Sequence, residues 1–161
     1  MPFVFAATAA AAAAVTGAPA GGAYAPPSAA APAQRVVISE QGAKYPVGRF
    51  VLKGGAGSDD GASDTRSFEG PLRLVDGQYQ YTAHGTDLLR GKKGSVKLSW
   101  TGTHVDAGSV FVEYGTWRII DGTGTGTYQR WRGSGRYAAT LRATANGFTF
   151  SIQREGVVTT G

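Results

Sequence analysis

Residues 115–137 read GTWRIIDGTGTGTYQRWRGSGRY, and this stretch decides the fold. Trp117 and Ile119 stand two positions apart, which is the spacing of side chains on one face of a β-strand. A glycine-rich segment follows, and Gly133 and Gly135 then open a second strand. Because glycine tolerates positive φ and close approach between backbones, this density of glycine indicates a tight corner in an all-β protein.

The same two-residue period continues along most of the chain after Gln34. No window of helical length carries apolar side chains at the i, i+3, i+4 spacing, so the pattern predicts half-buried β-strands. Leu74, Leu98, Leu141 and Ile152 are expected to help fill the interior. The large residues expected both to fill it and to line any ligand site there are Phe50, Leu52, Tyr79, Tyr81, Trp100, Trp117, Phe148 and Phe150.

The segments expected to connect these strands are rich in turn-forming residues. Asp76-Gly77 and Asn146-Gly147 are expected to form type I′ hairpin turns. Residues 54–70 are expected to form a long polar loop, and residues 91–94 and 102–108 are expected to form shorter turns. Short strands joined by hairpins need a closed sheet to satisfy their edges. The predicted fold is therefore a single antiparallel β-barrel of about seven to eight strands in meander order. A two-sheet β-sandwich is the alternative.

Residues 1–34 differ from the rest because they carry no charged side chain and consist mainly of Ala, Gly and Pro. Residues 3–15 form an apolar run of the length found in signal peptides, and the run is too short to span a bilayer. We therefore expect a signal peptide at 1–20, a flexible lead-in at 21–34 and a β-barrel domain at 35–161, in a secreted or periplasmic protein. The alternative is an Ala-rich tail on a cytoplasmic protein, since no Lys or Arg precedes the run.

Composition excludes several kinds of chemistry. The chain of 161 residues has no cysteine, which removes disulfides, thiol catalysis and thiolate metal sites. Its two histidines, His84 and His104, are far apart in the sequence and do not form a recognisable metal-ligand spacing, so no metal or other cofactor is predicted. The net charge of +5 favours weak attraction to anionic polymers but is not by itself a nucleic-acid signal.

The corner motif resembles that of the allene oxide cyclase and dirigent-like β-barrels, and more closely that of a group of small secreted bacterial proteins related to them. The shared elements are the Trp117-x-Ile119 strand, residues 124–128 (GTGTY), a large apolar residue at Trp131, and Gly133-x-Gly135. The resemblance implies a β-barrel fold. Barrels of this kind include cyclases and proteins that direct stereochemistry without a catalytic centre, and related barrels often trimerise. It carries little about the function of this chain, because one fold hosts many activities.

Glu113 is the candidate catalytic residue. It shares parity with Trp117 and Ile119, so an unbroken strand would point its carboxylate into an apolar interior, where desolvation suits it to acid or base work. A bulge at Gly115 would reverse that parity, placing Val112 and Tyr114 inside and Glu113 in solvent. The more apolar character of the second set favours the second interpretation.

The basic residues supply a further candidate site. Arg130, Arg132 and Arg136 alternate with aromatic residues around Trp131, a mixture that binds anionic polymers by charge and stacking. An ordinary solvated strand face explains the same pattern. The sequence thus favours a non-enzymatic structural or small apolar-ligand-binding barrel. The alternatives are a cyclase or isomerase acting on a lipid-like or oxygenated apolar substrate, and a surface binder of anionic polymers.

Overall fold

The computed structural model describes residues 31–161, in which every strand pairs antiparallel to its neighbours. The strands are β1 (Gln34–Lys44), β2 (Val47–Gly54), β3 (Asp59–Glu69), β4 (Arg73–Val75), β5 (Gln78–Gly91), β6 (Gly94–Asp106), β7 (Val110–Ile119), β8 (Trp131–Thr144) and β9 (Gly147–Thr160), with a short 3-10 helix at Gly126–Tyr128. The expected signal peptide at 1–20, and all of the expected lead-in before residue 31, lie outside the described residues.

The strands form a closed barrel. Neighbours follow the order β3-β2-β1-β9-β8-β7-β6-β5, and β3 also pairs with β5, so eight strands complete the ring. The three-residue strand β4 stands outside the ring and pairs with the first residues of β5. The prediction of a single antiparallel barrel is confirmed, and the sandwich alternative is not what forms.

The long loop expected at 54–70 is wrong, because most of that segment forms strand β3. Its inward positions carry Asp59, Ser63 and Thr65, which are buried but polar, so the segment lacks the apolar alternation that marks the other strands. The backbone nevertheless pairs with β2 on one side and β5 on the other. The turn expected at 102–108 is shorter than predicted, because β6 continues to Asp106 and the chain turns only at 107–109.

The hairpin predictions have mixed outcomes. Asp76 and Gly77 both have positive φ, at 50° and 79°, as a type I′ turn requires. The turn before β9 is centred on Ala145 and Asn146 instead, and there only the following Gly147 has positive φ, so the type I′ prediction is wrong at that site. The loop at 91–94 is confirmed, since Gly91 pairs with Gly94 across it.

One end of the barrel is sealed by the connection between β7 and β8. Tyr128 and Trp131 are buried there with their rings 4.8 Å apart, edge to face. The Tyr128 hydroxyl donates to the Asp59 carboxylate at 2.7 Å, and the backbone N–H groups of Lys92 and Lys93 donate to the same carboxylate at 3.1 Å. Burial acts to raise the pKa of Asp59, but these hydrogen bonds outweigh it and hold the pKa below its usual value. We call this the closed end.

Three aromatic or aliphatic residues expected inside lie at the surface. Tyr79 is 53 % exposed and Leu74 is 64 % exposed, because the two face each other in the β4–β5 hairpin beyond the ring, where no opposite wall covers them. Phe148, at the start of β9, is 37 % exposed. The remaining candidates for the interior are buried, apart from the half-buried Tyr81 and Leu141.

Two glycines leave space for aromatic side chains in the interior. A Cβ at Gly156 would lie 2.7 Å from the ring of Trp117, and a Cβ at Gly102 would lie 2.3 Å from the hydroxyl of Tyr137. The absence of a side chain at these positions allows both aromatic residues to lie flat inside a narrow barrel.

Candidate functional site

The middle of the barrel contains ionised groups. Glu40 on β1, Asp87 on β5 and Arg154 on β9 are each at most 1 % exposed, and we call them the charged cluster. The Arg154 guanidinium contacts both carboxylates. Its central carbon also lies 5.8 Å from the centre of the Tyr137 ring. Arginine suits this position because its planar fork can bind two acceptors at once and stack on an aromatic face.

The charged cluster carries an excess of negative charge when fully ionised, since two carboxylates share one cation. Burial raises the pKa of Asp87 from 3.8 to about 7, and the nearby charge of Glu113 acts in the same direction. Burial also lowers the pKa of Arg154 to about 9, which leaves the guanidinium charged at neutral pH. Asp87 therefore exchanges its proton near neutral pH while Arg154 stays charged.

Glu113 lies inside the barrel and is 8 % exposed. The Tyr137 hydroxyl donates to its Oε1 at 2.7 Å, and His104 Nδ1 lies 3.3 Å from its Oε2. We call these three residues the Glu113 site. Burial, together with the hydrogen bond to Glu113, raises the pKa of the Tyr137 hydroxyl above its ordinary value, so Tyr137 remains a donor.

The interpretation that placed Glu113 in solvent is therefore wrong. Strand β7 pairs with β6 in unbroken register through Gly115, which lies opposite Gly102, so no bulge reverses the parity. Val112 and Tyr114 point outward and are 37 % and 52 % exposed. Gly115 serves close packing instead, because a Cβ there would lie 2.1 Å from the Thr101 carbonyl oxygen.

Aromatic side chains surround the end of the barrel above the Glu113 site. Tyr81 stacks on the imidazole of His104 at 4.4 Å, and Phe111 lies on its other side at 5.1 Å. Phe148 contacts Phe111 edge to face at 5.7 Å. We call Tyr45, Tyr81, Phe111 and Phe148 the mouth. His104, expected in a turn, is thus a buried residue of β6 beneath an aromatic cover.

A small cavity separates the mouth from the charged cluster. Its volume is about 30 Å³, and its lining extends from Tyr45 and Leu141 inward to Glu113 and Arg154. That is about the space taken by one water molecule. Three of its lining residues carry buried donors: the Thr65 hydroxyl, the Trp100 indole N–H and the Nε of Arg154. The first two hydrogen-bond to the Asp87 carboxylate and act to lower its pKa, whereas Arg154 Nε has no partner within residues 31–161.

The predicted anion-binding strip comes together only in part, because Arg130, Trp131 and Arg132 line one depression at the closed end and Arg136 does not. Trp131 is 5 % exposed and packs inward at the closed end, so it offers no stacking surface to solvent. Arg130 and Arg132 are exposed near that end, where Arg132 lies 3.8 Å from Asp121. Arg136 is on the outer wall, opposite Thr116 of β7. Side chains alternate between the two faces of β8, which turns Trp131 inward, whereas Arg132 and Arg136 share the outer face four residues apart.

Sequence reasoning missed the charged cluster, although a signal exists. Each member stands at an inward position in line with apolar residues: Glu40 follows Ile38, and Arg154 follows Ile152. Asp87 similarly precedes the buried Leu89. A charge on the apolar face of an alternating strand is unusual, and three such charges of mixed sign indicate a buried ion cluster.

The fold and the site define a closed eight-stranded β-barrel with a charged interior beneath an aromatic mouth. Comparisons with protein-family models, with curated proteins and with solved structures gave no match. Within residues 31–161, no helix has the length and apolarity needed to cross a membrane. In the same residues no three His, Asp or Glu side chains are grouped as a metal site.

Proposed function

We propose that this chain is a binding barrel for a small apolar molecule that carries one hydrogen-bond-accepting oxygen. The observation that carries the proposal is the small cavity itself, which has aromatic and aliphatic side chains on its outer side and the buried donors of Trp100 and Arg154 on its inner side. Arg154 Nε has no acceptor within residues 31–161. A buried donor without an acceptor costs about 1–3 kcal/mol. An acceptor oxygen in the cavity removes that cost. A water molecule can supply this oxygen in the free protein, and the ligand supplies it when it displaces the water.

The surroundings of the cavity suit the rest of such a ligand. Tyr45 and Leu141 line its outer side, and both are half-buried. The mouth adds further aromatic surface, which binds apolar groups without demanding one precise shape. The ligand's oxygen then lies at the cavity and its apolar body lies among the side chains of the mouth.

Trp100→Phe tests the proposed oxygen site, because it removes the indole N–H and retains an aromatic ring. We expect the affinity for cyclohexanone, measured by NMR titration of the full chain, to fall by about tenfold. Trp131→Phe is the matched control, since its indole nitrogen is also buried but lies at the closed end. Equal affinity for cyclohexane and cyclohexanone, or equal effects of the two substitutions, would contradict the proposal.

A second candidate function is isomerisation of an oxygenated apolar substrate. Glu113 lines the same cavity and is held by Tyr137 and His104, as a general base must be held. With a β,γ-unsaturated ketone bound, Glu113 takes a proton from the α carbon and returns it to the γ carbon, which gives the α,β-unsaturated ketone. The donors of Trp100 and Arg154 stabilise the enolate oxygen that forms between these two steps.

The isomerase candidate predicts conversion of 3-cyclohexenone to 2-cyclohexenone, followed by ultraviolet absorbance. Glu113→Gln is expected to lower kcat by about a hundredfold or more, because it removes the base. Binding of cyclohexanone should persist in that variant. The control is Glu155→Gln, which changes an exposed glutamate on β9. If the wild-type chain gives no turnover above buffer, the isomerase candidate fails and the binding proposal stands.

The resemblance to allene oxide cyclase and dirigent-like barrels supports both candidates. A closed antiparallel barrel agrees with it, and so does the inward placement of Trp117 and Ile119. We include export in the proposal, on the strength of the apolar run at residues 3–15. Self-association as in related barrels also belongs to the proposal.

A further inference from the structure

A groove crosses the outer wall of the barrel, on the opposite face of the sheet from the interior cavity. Its volume is about 770 Å³, within the range of about 300–1,000 Å³ that is usual for ligand sites. Two rows of outward side chains run side by side across β3, β5, β6, β7 and β8. In register, one row is Arg66, Thr86, Ser99, Arg118 and Ser134, and the other is Phe68, His84, Thr101, Thr116 and Arg136.

The groove is cationic. Arg118 and Arg136 line it, and no acidic side chain of residues 31–161 does so. Arg118 Nε donates to the Ser99 hydroxyl at 3.1 Å, which holds its guanidinium along the row. Arg136 forms no ion pair within the described chain, although Glu155 stands opposite it on β9. A carboxylate or sulfate in the groove gains two forked donors.

The remaining lining distinguishes between anionic ligands. Five serine and threonine hydroxyls line the groove, and each can both donate and accept, as a ligand rich in hydroxyls requires. Exposed aromatic surface is confined to one end, where Phe68 and His84 stack at 5.6 Å. Trp100 and Trp117 also line the groove, but they are buried and only 6 % and 2 % exposed. Nucleic acid strands bind best to several aromatic platforms, one for each base. The groove therefore fits a sugar chain better than a single-stranded nucleic acid.

The geometry points to a second binding site, on this outer wall, for a short oligosaccharide that carries carboxylate or sulfate groups. The acidic groups bind Arg118 and Arg136. The sugar hydroxyls bind the rows of serine and threonine, and one sugar face packs on the Phe68–His84 pair. The site lies outside the mouth, so a substitution at Glu113 leaves it unchanged, whereas Trp100 lines both the groove and the interior cavity.

Isothermal titration of the full chain with trigalacturonate and a heparin tetrasaccharide tests this site, with maltotriose as the neutral comparison. The double variant Arg118→Gln, Arg136→Gln is expected to lose at least about tenfold in affinity for the acidic sugars. The matched control Arg49→Gln, Arg142→Gln removes the same charge from exposed positions outside the groove. Phe68→Ala should weaken binding several-fold with the charge unchanged.

Three results would overturn the inference. One is equal loss in the two double variants, which would mean general electrostatic attraction. Another is binding of both acidic sugars no tighter than that of maltotriose. The third is tighter binding of a short oligothymidylate than of either acidic sugar, which would identify the groove as a nucleic-acid surface. Tight binding that depends on Arg118, Arg136 and Phe68 supports it.

Discussion

Replacing Arg154 with methionine is expected to lower the free energy of unfolding by about 3–5 kcal/mol, as measured by denaturant titration. The substitution preserves much of the side-chain volume but removes the only cation of the charged cluster described here. Glu40 and Asp87 then remain buried with no positive partner. A buried carboxylate without a partner is far more destabilising than the loss of a surface ion pair.

The controls for this result separate charge from packing. Arg142→Met changes an exposed arginine on β8 and should alter stability by no more than about 0.5 kcal/mol. Adding Glu40→Gln and Asp87→Asn to Arg154→Met should recover much of the lost stability, because the unpaired charges are gone. A triple variant as unstable as the single one would mean that Arg154 acts through packing alone.

The pH dependence gives a further check on the charged cluster. Folding raises the pKa of Asp87 from 3.8 to about 7, so Asp87 favours the folded state most when its carboxyl group is protonated. That contribution is fully present below about pH 4 and is lost as the pH rises through about 7. Arg154→Met should therefore be less destabilising at about pH 4 than at about pH 8. An equal loss at both pH values would contradict this account.

Trp117→Ala is the second substitution with a large expected effect, about 3–5 kcal/mol in the free energy of unfolding. Trp117 is 2 % exposed, and its indole N–H donates to the carbonyl oxygens of Arg136 at 3.1 Å and Glu155 at 3.3 Å. Truncation leaves a cavity in the space that Gly156 keeps open. The barrel wall is a continuous ring and cannot collapse easily into that space.

Tyr114→Ala is the matched control for this prediction. It truncates a large aromatic residue on the same strand, but one that points outward and is 52 % exposed. Its effect should stay near 1 kcal/mol or below. Gly156→Ala tests the same contact between β9 and the Trp117 ring. It should also lower the free energy of unfolding, because the added methyl group clashes with the indole ring. Similar losses for Trp117→Ala and Tyr114→Ala would show that the interior contact contributes little.

The part of the fold that sequence predicts well is the part governed by local alternation. The two-residue period identifies most strands, and it places Trp117 and Ile119 inside and His84 outside. Strand β3 escapes because its inward residues are polar, and Asp59 is explained only by partners distant in the sequence, such as the Tyr128 hydroxyl. Alternation reports the contrast between two faces, and that contrast is missing in β3.

The candidate site was harder to predict, because it depends on pairing between distant strands. Whether Glu113 points inward depends on whether Gly115 bulges, and the answer lies in its partner Gly102 on β6. The contact from Tyr137 requires the register of β8 as well. No pattern within one strand contains that information, so sequence reasoning left two orientations open and favoured the wrong one.

The first and last strands of the described chain are neighbours, with Gln34 opposite Val158. During synthesis on a ribosome, one edge of β1 therefore stays unpaired until β9 has been made. Closure of this kind joins residues far apart in sequence, which is the feature that slows folding most. The nascent chain consequently carries an open sheet edge until β9 has been synthesised.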